Sequence, residues 1–164
     1  MLKPLTIIQF DPKYTTQVAN LILSIQRNEF GVEITLNDQP DLLDINGFYI
    51  KSGGNFLIAL DNDTVVGTIA VLNIANNVYA LRKMFVDSKY RGKEKGVARI
   101  LLAKLFVWLK ERNAKEVYLG TISKYKAAHR FYEKNGFIEV KKENLPKTFP
   151  LMTVDDRFFK YSFA

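Results

Sequence analysis

The chain reads as an α/β protein: one mixed, mostly antiparallel sheet of six or seven strands with a parallel central pair, and helices on both faces. Three observations lead there. Apolar runs of strand length, separated by turn residues, succeed one another from Phe56 to Val86. Between Leu81 and Leu119 a strand, a helix with a continuous apolar stripe and another strand succeed each other, and such a crossover makes its two strands parallel. Near the end, Phe159, Tyr161 and Phe163 alternate with Phe158, Lys160 and Ser162, the period of a half-buried strand. The sheet is therefore antiparallel at both ends and parallel in the middle.

The first element is a strand over 6–10, apolar at Ile7, Ile8 and Phe10, that stops at Asp11-Pro12. Val18, Leu21, Ile22 and Ile25 recur at helical spacing and predict a helix over 16–30, capped by Thr15 or Thr16 and stopped by Gly31. Asn37-Asp38-Gln39-Pro40 is a loop, and 41–50 a short second helix ended by Ser52-Gly53-Gly54. Residues 56–60 and 65–72 form a hairpin about Asp61-Asn62-Asp63, and Asn76-Asn77 turns the chain into a strand over 78–86. In the next helix Ala98, Leu101, Leu102, Leu105, Trp108 and Leu109 share a face, with Arg99, Lys104 and Lys110 off it and Asn113 as a left-handed stop. A strand at 117–119 leads to a helix over 126–134, with Ala128, Phe131 and Tyr132 on one side and Gly136 at positive φ in its cap. Residues 138–140 and 157–163 supply the last strands, with Asp155-Asp156 as the turn before the final one. No repeat or linker divides the chain, so one domain over 1–164 is expected.

Composition narrows the function. Hydrophobic residues make up 48% of the chain, enough for a sizeable core. No run nears the ~20 apolar residues of a membrane span, and Pro4 and Asp11 break the opening apolar stretch too early for a secretory signal. The chain has no cysteine, which excludes disulfides, thiolate zinc sites and cysteine nucleophiles and makes a cytoplasmic location the default. Its single histidine, His129, cannot build a metal site alone, so no metal is expected, and it reads as a helix-surface residue. The formal charge of +7 suits solubility or an anionic partner. Lys89, Arg91, Lys93, Lys95 and Arg99 crowd one loop, with Lys124, Lys126 and Arg130 further on. Zinc-finger spacing, an RNP-like aromatic strand and a long basic arm are all missing, so nucleic acid is an unfavoured partner.

That basic loop, Tyr90-Arg91-Gly92-Lys93-Glu94-Lys95-Gly96-Val97-Ala98, joins a strand to a helix. Its glycines let a ligand approach the main chain, and the first helical turn offers unpaired N–H groups and a partial positive charge, which suits a phosphate. It lacks the Gly-Lys-Ser/Thr of a P-loop and the spacing of a dinucleotide fingerprint. A pyrophosphate held by amides plus Arg and Lys remains, against the plain alternative of a strand-to-helix turn with solvated lysines.

Met84-Phe85-Val86-Asp87-Ser88-Lys89-Tyr90-Arg91-Gly92, Gly96-Val97-Ala98, Leu101-Leu102, Tyr118-Leu119-Gly120-Thr121 and Ala127-Ala128-His129-Arg130-Phe131-Tyr132-Glu133-Lys134-Asn135-Gly136-Phe137 together resemble the acetyl-CoA core of the GNAT superfamily of N-acetyltransferases. The resemblance implies a GNAT-like acyl-CoA N-acyltransferase fold and acetyl-CoA as cosubstrate. The family's [Q/R]-x-x-G-x-[G/A] loop is matched either from Lys93, or from Arg91 with two residues inserted; both alignments keep Gly96, Val97 and Ala98 as amide donors to the diphosphate. Arg91, Gly92, Lys93 and Lys95 join them as cofactor-binding residues. The family's usual proline is Ser88 here. Met84, Phe85 and Val86 match the strand that holds the pantetheine arm, and Ala128 and Phe131 match the helix beside it.

By the same resemblance Tyr132 is the phenol near the thioester sulfur, able to protonate the departing thiolate, and the Val86 amide stabilises the oxyanion. These two are the catalytic candidates; for Tyr132 the alternative is a core ring packed with Phe131. The attacking ammonium, of ordinary pKa ~10.4, must first lose a proton. Many relatives use a glutamate on the strand before the loop, where this chain has Tyr79, Arg82 and Lys83. Glu29 is the substitute candidate, behind it Asp41 and Asp44, or ordered water serves. The two early helices and the loop after Leu145-Pro146 are expected to line the side of the acceptor, a small-molecule or protein amine. The absent carboxylate keeps a non-catalytic acyl-CoA sensor open as the other reading. A late edge strand pairing between chains, giving a homodimer, is a further possibility.

Overall fold

The computed structural model describes residues 5–92 and 96–164. Seven strands form one sheet: β1 (Thr6–Gln9), β2 (Asn55–Asp61), β3 (Thr64–Ala75), β4 (Val78–Val86), β5 (Glu116–Thr121), β6 (Ile138–Val140) and β7 (Arg157–Ser162). Their order is β1-β2-β3-β4-β5-β7-β6. Only β4 and β5 run parallel, and every other pairing is antiparallel. The expected mixed sheet with a parallel central pair is thus observed.

The helices are α1 (Thr15–Leu23), α2 (Val97–Glu111) and α3 (Lys126–Lys134). Strand β2 shows how both faces are covered. Phe56, Ile58 and Leu60 point to one side, where they pack with Val18 and Ile22 of α1 and with Leu42, Ile45 and Tyr49. Leu57 and Ala59 point to the other, into a core with Leu101, Leu105 and Leu109 of α2 and Tyr132 of α3. A strand buried on both faces needs a continuous apolar run, which is what β2 has. Gly67 of β3 lets α2 lie close: a Cβ there would stand 3.0 Å from Leu101 Cδ1 and 3.2 Å from Val97 Cγ1.

Two expected helices take other forms. The helix predicted over 16–30 is α-helical only through Leu23 and widens to a π-helix over Ser24–Glu29. The wider turn directs both Ile25 and Gln26 inward, and Gln26 meets Gln39 in a reciprocal amide pair of 2.9 and 3.1 Å. The helix predicted over 41–50 is a 3-10 turn, Pro40–Leu43, then a π-helix, Asn46–Ile50. Thr15 does not cap α1; its hydroxyl donates to the Pro12 carbonyl at 2.6 Å, and Asp11 caps the preceding 3-10 turn instead. The left-handed stops at Asn113 and Gly136 are present, at φ 59 and 92. Among the described residues no helix is long and apolar enough to cross a membrane.

Candidate active site

A cleft opens where the sheet splits. β4 and β5 are paired only at Val78–Glu116, Tyr79–Val117 and Ala80–Tyr118. Past that point β4 stays with β3 and β5 stays with β7. The cause is in β4. Its register against β3 slips so that Lys83 and Met84 both face Ile69, and Lys83 sits in the left-handed region at φ 52. The buried Thr68 hydroxyl donates to the Lys83 carbonyl at 2.6 Å and fixes this bulge. A bulge bends its strand and re-aims the side chains beyond it. The resulting cleft, of about 650 Å³, is walled by residues 81–86 on one side and by Leu119, Gly120, Thr121 and Ile122 on the other.

One end of the wall is formed by the end of β4, the start of α2 and one side of α3. Met84, Phe85, Val86, Arg91, Gly92, Gly96, Ala98, Ala128, Phe131 and Tyr132 all line the cleft. Gly96 is the N-cap of α2, at φ 65, with no side-chain cap over it. The helix therefore presents its first N–H groups without a competing side chain, an anion site by geometry. Val97 buries its side chain in the core, so only its amide can serve a ligand. Lys93 and Lys95 lie outside the described residues.

Arg91 is already engaged at the rim. Its Nε donates to the Val86 carbonyl at 2.9 Å, its Nη2 donates to Glu29 Oε2 at 2.8 Å, and Nη1 bonds the other oxygen of that carboxylate. Glu29, the expected substitute base, is thus held in an ion pair with Arg91 and is absent from the cleft wall.

The other end is charged. Arg82 and Lys83 approach the same oxygen of Asp41, at 3.9 and 3.7 Å, and that oxygen also accepts the Tyr49 hydroxyl at 2.5 Å. Lys83 donates to Gln39 Oε1 at 2.5 Å. Burial pulls the Lys83 ammonium down to about 8, with Asp41 opposing the fall and Arg82 adding to it. Gln26, Phe149, Pro150, Met152, Val154 and Asp155 complete this wall. The loop after Pro146 lines the cleft as expected, whereas no residue of the 41–50 segment does; that segment touches the wall only through Asp41, beside Arg82 and Lys83, and through Phe48, whose ring lies 5.5 Å from the Arg82 guanidinium.

Between the two ends stands Tyr132. Its ring packs on Phe137 and Phe159, with centroids 5.5 and 5.9 Å away, while the residue also borders the cleft. Burial, then Asp155, then Tyr125 raise its phenol pKa well above the ordinary value. Tyr125 beside it is pushed up to about 12 by burial, with smaller contributions from Asp155 and Glu29. Both phenols stay protonated through the physiological range, as hydrogen donors must.

Residues 20–137 match the acetyltransferase (GNAT) family. The chain belongs to the GNAT family.

It is 39% identical to the N-acetylaspartate synthetase of Xenopus tropicalis over 127 residues, 73% of this chain and 46% of that protein. Against the human N-acetylaspartate synthetase the figures are 37% over 99 residues, 59% of this chain and 32% of that one. The chain spans less than half the length of these curated relatives. Among solved structures, a GNAT-family acetyltransferase from Staphylococcus aureus Mu50 superposes with a TM-score of 0.93 at 43% identity, covering 96% of this chain and 98% of that one. A paia N-acetyltransferase from Thermoplasma acidophilum, solved with coenzyme A, shares the fold at a TM-score of 0.75 and 17% identity, covering 98% and 100% of the two chains.

Two residues of this GNAT chain differ from their sequence reading. His129 is buried, not on the helix surface: Nε2 lies 2.9 Å from the Ile122 carbonyl and Arg157 Nη1 lies 3.1 Å from Nδ1. These partners select the neutral tautomer with its proton on Nε2, and burial, with the Arg157 charge, lowers the imidazole pKa. His129 thereby ties the turn after β5 to β7. Asp155 does form the turn before β7, but it also enters the cleft wall. It fits there because Gly120 has no side chain: a Cβ at Gly120 would stand 2.5 Å from Asp155 Oδ2. Burial pushes its carboxyl up to about 6, against the downward pull of Arg82 and Lys83. The one local hint in the sequence was Gly120 inside a strand, where glycine often marks a close approach.

Proposed function

We propose that this protein transfers the acetyl group of acetyl-CoA to a primary amine by direct attack, with no covalent enzyme intermediate. One observation carries the reading: the open N-terminus of α2, the unpaired edge of β4 at Met84–Val86 and the Tyr132 phenol all face one cleft. Amides at Gly96, Val97 and Ala98 hold the diphosphate, and the edge of β4 holds the pantetheine arm as a strand would. The Val86 amide stabilises the oxyanion that develops on the thioester carbonyl. As the C–S bond breaks, Tyr132 gives its proton to the sulfur; burial keeps the phenol protonated until that moment, while the raised pKa makes it a weak acid that acts only as negative charge builds on sulfur.

The name of the N-acetylaspartate synthetases supports an amino acid as acceptor here. The rest of the reading is one catalytic domain over 1–164 working in the cytoplasm, with the exposed Ile138 on edge strand β6 as the place where two copies would pair. Asp155 in the cleft weakens the alternative of a non-catalytic sensor, which drew on the lack of a carboxylate near the acetyl site.

Free-thiol release from acetyl-CoA over a panel of amines tests the reading. Turnover is expected, and Tyr132→Phe should lower kcat on the order of 10²-fold with acetyl-CoA affinity unchanged. Binding of acetyl-CoA without release on any amine would support the sensor.

A further inference from the structure

We propose that the acceptor is an amino acid whose carboxylate seats on Arg82 and Lys83 while its ammonium faces Asp155, which takes the proton that must leave before attack. This deepens the acetyl-transfer reading and rests on it.

Arg82 is a buried cation with poor partners. Its side chain is 13% exposed, and the nearest carboxylate oxygen among the described residues is Asp41 Oδ2 at 3.9 Å, too far for a direct hydrogen bond. Its other contacts are soft: Met152 Sδ at 3.7 Å and the face of Phe48. Asp41 cannot satisfy it, because the same oxygen is already shared by Tyr49 and Lys83. A guanidinium carries five N–H donors in a planar fork that fits a carboxylate. A fork left weakly matched in a cleft wall is a seat for an incoming anion. Lys83, held next to it by the bulge, adds a second cation; the two share the single negative charge of Asp41, so a net positive charge is left for an incoming carboxylate.

Asp155 supplies the opposite charge. Among the described residues its carboxylate has neither a hydrogen bond nor an ion pair, and it stands over the bare Cα of Gly120 at the cleft wall. The groups that face it are Arg82 and Lys83 from β4 and Tyr125 and Tyr132 at α3, with Asp156 adjacent in the chain. A site with a net positive charge at one point, where Arg82 and Lys83 share Asp41, and an unpaired carboxylate at another is complementary to a zwitterion. A carboxylate-free amine would leave the cations unmatched, and a polyamine would meet them as like charges.

The step balances. The acceptor ammonium gives one proton to the Asp155 carboxylate. The nitrogen lone pair forms the C–N bond to the thioester carbon of acetyl-CoA. On collapse the C–S bond breaks with its electron pair on sulfur; Tyr132 gives its proton to the thiolate and takes the second proton of the nitrogen in its place. The products are the N-acetyl amino acid and free CoA, and Asp155 returns its proton to water.

The test measures thiol release with L-aspartate, L-aspartic diamide, n-propylamine and spermidine, with acetyl-CoA affinity by calorimetry. For the unaltered protein kcat/KM for L-aspartate should exceed that for the three carboxylate-free amines by about 100-fold or more. Arg82→Gln should raise KM for aspartate about 10- to 100-fold with little change in kcat, and Arg82→Lys should recover part of the loss. Asp155→Asn should lower kcat about 100-fold or more, abolish the fall of kcat below about pH 6, and leave acetyl-CoA affinity unchanged. Equal turnover of carboxylate-free amines, no turnover of L-aspartate, or an Asp155→Asn enzyme with unaltered kcat and pH profile would overturn this inference. Failure to bind acetyl-CoA at all, with no thiol release from any amine, would instead overturn the acetyl-transfer reading beneath it.

Discussion

The two ends of the cleft are built differently. The end proposed for the donor relies mostly on main chain: the start of α2 at Gly96 and the edge of β4 at Met84–Val86, beside small or apolar positions of α3. Its parts come from two short stretches of sequence. The end proposed for the acceptor relies on side chains: Gln26, Arg82, Lys83, Met152 and Asp155 come to the wall from several separate segments, backed by Gln39, Asp41 and Tyr49 away from it. A site made of backbone needs glycines and helix starts at fixed offsets, so it leaves a local signature. A site made of side chains gathered by the fold leaves none, and is free to change with the acceptor.

The comparison breaks first at Gly96. This residue sits at φ 65, where a β-branched side chain is strained. Gly96→Val should displace the first amides of α2 and raise the acetyl-CoA dissociation constant about 10- to 100-fold, at a stability cost of about 1–2 kcal/mol. Calorimetry with acetyl-CoA reads the first effect and a thermal melt the second. KM for the acceptor should stay unchanged. A dissociation constant that does not move would show that the diphosphate is held by the basic side chains of the loop and not by its main chain.

Gly120 tests the opposite end with an equally small change. It lies in β5 at negative φ, so alanine is tolerated by the backbone, but the new Cβ would stand 2.5 Å from Asp155 Oδ2 and 3.2 Å from Phe158 Cε1. The carboxylate must swing away. Gly120→Ala should lower kcat about 10-fold with acetyl-CoA affinity intact, the mirror image of Gly96→Val. Retained kcat would mean that Asp155 works from another position, or not at all.

The same contrast explains what could be read in advance. Strand order, the crossover through α2 and the stops at Asn113 and Gly136 arise from apolar period and from left-handed residues, which act locally. The residues proposed for the donor end could be picked out for the same reason. The π-helical turns at Ser24–Glu29 and Asn46–Ile50 were not, because apolar spacing over one turn is compatible with either helix, and the choice is made by a partner far away, Gln39 for Gln26. His129 looked like a surface residue because Arg157, its partner, lies 28 positions on. Asp155 looked like an ordinary turn, since nothing near it in sequence shows that Gly120 opens a place for it across the sheet.

The smallest predicted effect is on stability, and it bears on whether the acceptor end is enclosed. The Asp155 carboxyl has a folded pKa of about 6, above the ordinary value of 3.8, chiefly through burial. A raised carboxyl pKa means that the native state holds this proton where the unfolded chain has lost it. The group is therefore neutral in its effect below about pH 4, costs stability progressively as pH rises through about 6, and reaches its full cost above about pH 7. Asp155→Asn removes the charge and with it that cost. Its melting temperature should equal that of the parent near pH 4 and exceed it near pH 7.5, by a free energy on the order of 1–2 kcal/mol. A gain of equal size at both pH values would come from packing, and no gain at either would mean the carboxylate is well solvated. The expected pattern, a more stable protein that has lost turnover, is the mark of a charge kept half-buried because the reaction needs it there.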